Sequence, residues 1–251
     1  MLRSPSGVLA VDKPLGWTSH DVVAVLRGLL GLRRIGHGGT LDPAATGVLP
    51  ILVGPATSFV ERLHTAPKAY AAVVRFGHET ATDDREGAST RDASVPEAID
   101  EATLDGFRGR IDQVPPDFAA VKVGGQPAYR AARAGRPAVL EARSVTIDRL
   151  AVADWTPPDL RLLVVCSSGT YIRAIARDLG RAVGSAAYLA ALRRLAVGAL
   201  DAADAHGIEA LRSGPPELAL DAMRAPTDDL LQLPDRYRTD SADRLLAAWE
   251  A

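Results

Sequence analysis

One carboxylate, Asp42, lies in the run Gly36-His37-Gly38-Gly39-Thr40-Leu41-Asp42-Pro43-Ala44-Ala45-Thr46-Gly47. Gly36, Gly38 and Gly39 lack a Cβ, so the segment before Asp42 can take φ > 0 or let another molecule approach the main chain closely. Pro43 then restricts Asp42 to an extended conformation and removes one backbone donor. The chemistry on offer is that of a single carboxylate presented on a glycine-rich loop. The same residues also read as a tight turn whose aspartate caps a short helix at Ala44–Thr46, and the stretch alone does not separate the two.

Other chemistries find less support. The one cysteine, Cys166, sits in the apolar run Leu162-Leu163-Val164-Val165-Cys166, as expected of a buried inert thiol. The five histidines are scattered and none shares metal-ligand spacing with a cysteine, so no metal site is expected. The start of the chain lacks a basic-then-apolar signal, and no apolar run reaches membrane-spanning length. The expectation is a cytoplasmic protein with no membrane partner. At 251 residues and 47% hydrophobic, the chain can bury a substantial core.

The net charge of −2 is unevenly spread. Residues 201–251 hold 5 Arg and 11 acidic residues, whereas residues 1–200 hold 24 basic and 20 acidic ones. The basic residues cluster at Arg27, Arg33 and Arg34, then from Lys122 to Arg143, then from Arg173 to Arg194. Such clusters fit a face for a polyanion, and equally the solvated faces of helices.

Several elements must position these groups. Gly7–Val11 reads as a strand, and Thr18-Ser19-His20-Asp21 has the form of a capping box opening an amphipathic helix over 19–30. Strands are expected at Val48–Val53 and Tyr70–Phe76, with a helical face of Ala56, Phe59, Val60 and Leu63 between them. The polar stretch His78–Val95 reads as a mobile loop. Short helices are expected near 97–109 and 127–134. Val145–Trp155 and Leu160–Ser167 form an antiparallel pair around Thr156-Pro157-Pro158-Asp159, and a helix follows Gly169. This mixture favours an α+β fold with a mostly antiparallel sheet flanked by helices and loops.

Three separated blocks carry a resemblance: Gly7–Ser19, including Val11-Asp12-Lys13-Pro14; the Gly36–Gly47 loop continued by Val48-Leu49-Pro50; and Gly169-Thr170-Tyr171-Ile172-Arg173 through Gly180. In this order and spacing residues 7–200 closely resemble the TruB family of bacterial tRNA pseudouridine synthases. The resemblance implies the pseudouridine-synthase fold and isomerisation of uridine-55 in the tRNA T-loop. Uracil is detached from C1′, rotated and rejoined through C5, without a cofactor. A carboxylate could attack C1′ covalently or assist a glycal intermediate, and both routes stay open.

The resemblance also implies roles residue by residue. Asp42 is the catalytic aspartate, Arg173 the buried arginine that pairs with it, and Tyr70 the tyrosine that stacks on the target base near C5. Tyr171 and Leu192 line the uracil pocket. His37 occupies the space left by the flipped nucleotide, and Lys13 supports the site, with a phosphate contact or a structural ion pair as its alternatives. Asp12 reads as structural, and Arg177 as a phosphate or surface contact. Gly38 replaces a threonine common in the family, which is expected to loosen the loop. Residues 1–200 form the expected catalytic domain and 201–251 an acidic, accessory extension, with the family's C-terminal RNA-binding PUA domain absent or vestigial. The partner is the T-arm of tRNA, bound by a monomer. A non-catalytic RNA-binding protein on the same scaffold, and a related synthase working in a guide-RNA complex, are the competing readings.

Overall fold

The structure, a computed structural model, describes residues 5–247 and Trp249. It divides into two compact units, one built from the residues up to Ala71 with Leu192–Asp240, the other from Ala72–Ala191 with the residues from Ser241 onward.

In the first unit β1 (Gly7–Lys13) leads to α1 (Ser19–Leu30), β2 (Ile35–His37) and β3 (Ala45–Val53). The capping box is present: the Asp21 N–H donates to Thr18 Oγ1 at 3.1 Å and the Thr18 N–H to the Asp21 carboxylate at 2.8 Å. Gly31, at φ 62°, ends the helix in the left-handed conformation that glycine adopts without strain. Val22, Val23 and Leu26 pack on Leu9, Val11, Leu49 and Ile51 of the sheet, each worth about 1.5–3 kcal/mol of burial.

β1 runs antiparallel to β3, from Gly7 opposite Val53 to Lys13 opposite Gly47. The helix considered at 44–46 does not form. The Ala45 N–H closes a turn on the Asp42 carbonyl at 3.0 Å, and β3 begins at Ala45, where ladder pairing captures the backbone. A 3-10 turn at Gly54–Phe59, opened by Pro55, precedes α2 (Val60–Thr65), so one continuous helix is replaced by two short turns with Ala56, Phe59 and Leu63 still inward. β4 (Lys68–Phe76) starts two residues before the expected strand.

The second unit corrects the mobile loop. β5 (His78–Thr80) and β6 (Ser89–Asp92) form a hairpin. Glu79 accepts from Arg91 at 2.6 Å and from Arg181 at 2.9 and 2.7 Å, and Asp83 and Asp84 between the strands are buried. The polar residues that suggest mobility make the turn's own internal bonds. α3 (Glu101–Asp105) and β7 (Gly109–Gln113) follow. Next come β8 (Lys122–Val123), β9 (Gln126–Pro127) and α4 (Ala128–Arg133). The long hairpin of β10 (Arg143–Thr156) and β11 (Asp159–Cys166) forms as expected, and α5 (Ile172–Ala182) buries Ile172, Ile175 and Leu179. Here the strand order is β4-β11-β10-β7, and Cys166 is fully buried.

The chain returns to the first unit along β12 (Ala187–Val197), then β13 (Leu200–Asp201), β14 (His206–Gly207), α6 (Ile208–Ser213), α7 (Pro216–Asp221) and α8 (Arg236–Thr239). The first unit's strand order is β14-β1-β3-β12. It is mixed, with β14 parallel to β1 and β12 parallel to β3. The region beyond 200 is therefore not accessory. Ile208, Leu211 and Ala219 share the core of Leu9 and Val22, Leu230 joins Val8 and Leu52, and Tyr237 is 2% exposed with its hydroxyl donating to the Leu195 carbonyl at 3.2 Å. Its apolar residues are too few for strand alternation but are spaced to close this core. α9 (Ala242–Ala247) belongs to the second unit, where it packs on β10 and β11 with Leu246 buried.

Candidate active site

Asp42 sits half-buried on the connection from β2 to β3, and that connection is held on every side within the first unit. The Gly38 N–H donates to the Pro50 carbonyl at 2.8 Å, and the Gly16 N–H to the Pro43 carbonyl at 2.9 Å. Ser19 Oγ, buried at the start of α1, donates to the Leu41 carbonyl at 3.1 Å and accepts from the Leu41 N–H at 2.9 Å. The guanidinium of Arg194 donates to the Gly39 carbonyl at 3.0 Å and the Thr40 carbonyl at 3.3 Å. A loop whose backbone is tied down at Gly38, Gly39, Thr40, Leu41 and Pro43 presents its side chain in a restricted geometry. Leu63 packs against Gly38: a Cβ there would meet Leu63 Cδ2 at 2.6 Å, so leucine occupies the space a larger side chain would need.

Lys13, at the end of β1, is fully buried, and its Nζ donates to the carbonyls of Trp17 at 2.7 Å and Pro14 at 3.0 Å. Burial lowers its pKa to about 8 although Asp42 pulls the other way. The buried ammonium is committed to two main-chain carbonyls of the turn that follows β1. Asp12 is structural, held by Arg193 at 3.0 and 2.7 Å. His37 ends β2 with its Nδ1 buried and without a hydrogen-bond partner. Burial, with Arg194 and two other histidines nearby, lowers its pKa, so at neutral pH it is an uncharged ring. Leu192 lies opposite Ala45 in the β12/β3 pair. Tyr70, 7% exposed on β4, has its phenol close enough to Arg194 to act on that guanidinium.

Arg194 is the residue that sequence reasoning missed. It is 1% exposed, and Asp42 acts on its charge as well as on that of Lys13. In β12, strand alternation puts residue 194 on the face that Leu192 shares. Ser19 likewise passed as a helix-opening residue.

The second unit holds the other two candidates. Tyr171 precedes α5, and its backbone is gripped by the Gln113 side chain, which accepts from the N–H at 2.8 Å and donates to the carbonyl at 3.1 Å. Arg173, on the first turn of α5, is buried and donates to the carbonyls of Thr82 at 3.0 Å and Phe118 at 3.2 Å, with Asp84 Oδ2 3.7 Å away. Its guanidinium does not face solvent. Arg177 corrects the phosphate reading: it is buried, donating to Asp83 at 2.8 Å, Asp178 at 2.8 Å and the Val114 carbonyl at 2.9 Å. Burial pushes Asp83 up to about 6 against the pull of Arg177.

The basic clusters thus divide. Arg173, Arg177 and Arg194 are internal, Arg193 is paired with Asp12, and Arg27 donates to the Ile35 carbonyl at 2.8 Å. Arg33, Arg130, Arg133, Arg136 and Arg143 remain exposed, and the Lys122 side chain lies outside the described part. Charge count could not separate the groups because an arginine that serves main-chain carbonyls looks the same in sequence as one in water. Among the described residues no group of three His, Cys, Asp or Glu is placed to hold a metal, and no helix is long and apolar enough to cross a membrane.

The family described as TruB family pseudouridylate synthase (N terminal domain) matches residues 27–172, a span that includes His37, Asp42, Tyr70 and Tyr171. The chain belongs to this family. It is 46% identical over 232 residues to tRNA pseudouridine synthase B of Pseudomonas aeruginosa (strain UCBPP-PA14), covering 90% of this chain and 76% of the relative. The same enzyme of Mycobacterium tuberculosis (strain CDC 1551 / Oshkosh) is 46% identical over 225 residues, covering 86% and 74%. Among solved structures, a chain of a Cbf5-Nop10-Gar1 complex matches with a TM-score of 0.67 at 27% identity, over 89% of this chain and 61% of that one. A chain of an H/ACA RNP bound to a substrate RNA containing 2'-deoxyuridine matches with a TM-score of 0.63, also at 27% identity, over 92% and 60%. The chain spans about three fifths of those solved chains. The α+β class and the pseudouridine-synthase fold implied by the resemblance both hold.

Proposed function

We propose that this TruB-family chain isomerises uridine-55 in the T-loop of tRNA to pseudouridine, with Asp42 as the essential carboxylate. The observation that carries the reading is the loop of Asp42, pinned through Leu41, Gly39, Thr40, Gly38 and Pro43. Fixing a carboxylate before the substrate arrives lets it act on C1′ without reorganisation. The N1–C1′ bond breaks, the ring turns, C5 bonds to C1′, and the proton leaving C5 is balanced by one gained at N1. The reaction is an isomerisation and consumes nothing.

The target base must leave the stacked loop, at about a few kcal/mol. An uncharged His37 suits the gap it leaves, Tyr70 stacks on the base, and Leu192 and Tyr171 line its pocket. Arg173 serves the Asp42 carboxylate; this role, like that of Tyr171, rests on the family resemblance. Exposed arginines, Arg33, Arg130, Arg133, Arg136 and Arg143 among them, meet the phosphates, so binding weakens as salt rises. The protein works as a cytoplasmic monomer on the T-arm. Identities of 46% to proteins named tRNA pseudouridine synthase B, against 27% to chains of the Cbf5-Nop10-Gar1 and H/ACA RNP complexes, favour tRNA as the substrate.

Carbodiimide-dependent primer extension on an unmodified tRNA transcript treated with the protein tests the reading. A stop at position 55 that the Asp42→Asn variant does not produce supports it. No stop anywhere in the transcript refutes it. An isolated T-arm stem-loop should react within about tenfold of whole tRNA in kcat/KM, or about 1.4 kcal/mol.

A further inference from the structure

Arg194 stands among the largest fully buried side chains of the protein; its hydrogen bonds go to main-chain carbonyls, and the Asp42 carboxylate favours its charge. Its Nε–H donates to the Val48 carbonyl at 2.7 Å, Nη1 to the Thr40 carbonyl at 3.3 Å and Nη2 to the Gly39 carbonyl at 3.0 Å, and the Tyr70 phenol lies near enough to act on it. Burying a guanidinium against carbonyls is costly, and packing does not call for a cation in a strand whose next three residues, Leu195, Ala196 and Val197, are buried and apolar. What the planar fork achieves there is geometric. One rigid group reaches the start of β3, two residues of the Asp42 loop and the tyrosine of β4 at once, which neither a lysine nor an apolar side chain can do.

We propose that Arg194 is a positioning residue for the isomerisation, fixing the Tyr70 phenol and the Gly39–Thr40 segment that carries Asp42 in a single arrangement. The inference rests on the proposed function. It adds that the placements of Asp42 and Tyr70 are coupled through one side chain. A shift of either group is felt by the guanidinium that serves the other. Gly47 enables this: its lack of a Cβ lets β3 run close enough to Arg194 for Nε to reach Val48.

The test combines Arg194→Lys, Tyr70→Phe and the double variant in single-turnover and steady-state assays on a T-arm stem-loop. Arg194→Lys should lower kcat about 100-fold, the scale of a misplaced reacting group, with KM within about threefold of wild type. The double variant should be no slower than the slower single one. Losses that multiply, or a KM that rises while kcat holds, would overturn the proposal. If Arg194→Lys does not fold, nitrogen-15 spectra of the guanidinium decide: in Tyr70→Phe the slowly exchanging Arg194 Nη–H signals should shift and exchange faster, and unchanged signals overturn it. That readout needs no activity, so a wild-type protein that makes no pseudouridine would sink the proposed function and leave this coupling separately measurable.

Discussion

Gly47 on β3 and Arg194 on β12 stand opposite one another in parallel register, so close that a Cβ on Gly47 would lie 2.2 Å from the Arg194 carbonyl oxygen. Gly47 also has φ +101°, where other residues are strained. Two independent conditions demand glycine at the strand leaving the Asp42 loop. Gly47→Ala should cost about 3 kcal/mol or more of stability, read as a lower urea midpoint. A loss below about 1 kcal/mol would mean the strands separate without strain.

Asp42→Asn should leave the thermal midpoint and stem-loop affinity near wild type while abolishing pseudouridine formation. The Asp42 backbone carbonyl, which accepts the turn bond from Ala45, is untouched by the change, and the volume is nearly constant. Formation at near wild-type rate would remove Asp42 from the chemistry.

Lys13 gives a pH signature. Its pKa falls from 10.5 to about 8 on folding, chiefly through burial. Between those values the unfolded chain holds a proton that the folded one has lost, so the Lys13 contribution to stability rises with pH across about 8 to 10.5. Lys13→Met should flatten the stability curve in that window. Carbon-13 titration should place the Lys13 ammonium near 8; a midpoint near 10.5 would contradict its buried setting.

Glu79 gives the opposite limb. Hydrogen bonds from Arg181, then Arg91, hold its carboxylate down at about 2, from 4.5. Its contribution is therefore complete above about pH 4.5 and lost as pH falls through about 2. Both guanidinium groups are about half exposed, so solvent screening limits the effect to about 1 kcal/mol. Glu79→Gln should speed hydrogen exchange over residues 78–92 at neutral pH, with the stability difference vanishing in acid. Exchange unchanged at pH 7 would show that the hairpin does not depend on these pairs.

Removing residues from 235 onward should destabilise the protein severely, because it takes away Tyr237 and Leu246, 2% and 1% exposed. Deleting one such buried side chain costs about 2–5 kcal/mol. A truncated chain that melts within a few degrees of the full one would show that these contacts are dispensable.

Local signals in the sequence carried what depends on neighbours along the chain. The Thr18/Asp21 box, the period of Val22, Val23 and Leu26, and the β10/β11 hairpin formed as read, because capping, helical spacing and turns act over a few residues. The long blocks around Asp42 and Arg173 were enough to assign the family. Where the reading failed, partners distant in sequence decided. His78–Val95 holds a hairpin whose Glu79 is met by Arg181 from a helix a hundred residues away, and the stretch after 200 packs into the core with Leu9 and Val8. Only the tertiary structure could show that Arg194, alike in sequence to the exposed Arg143, is buried across Gly47 with its guanidinium on Tyr70 and the Asp42 loop. Desolvation and hydrogen-bond satisfaction depend on what the folded chain brings into contact, and a residue's type does not record them.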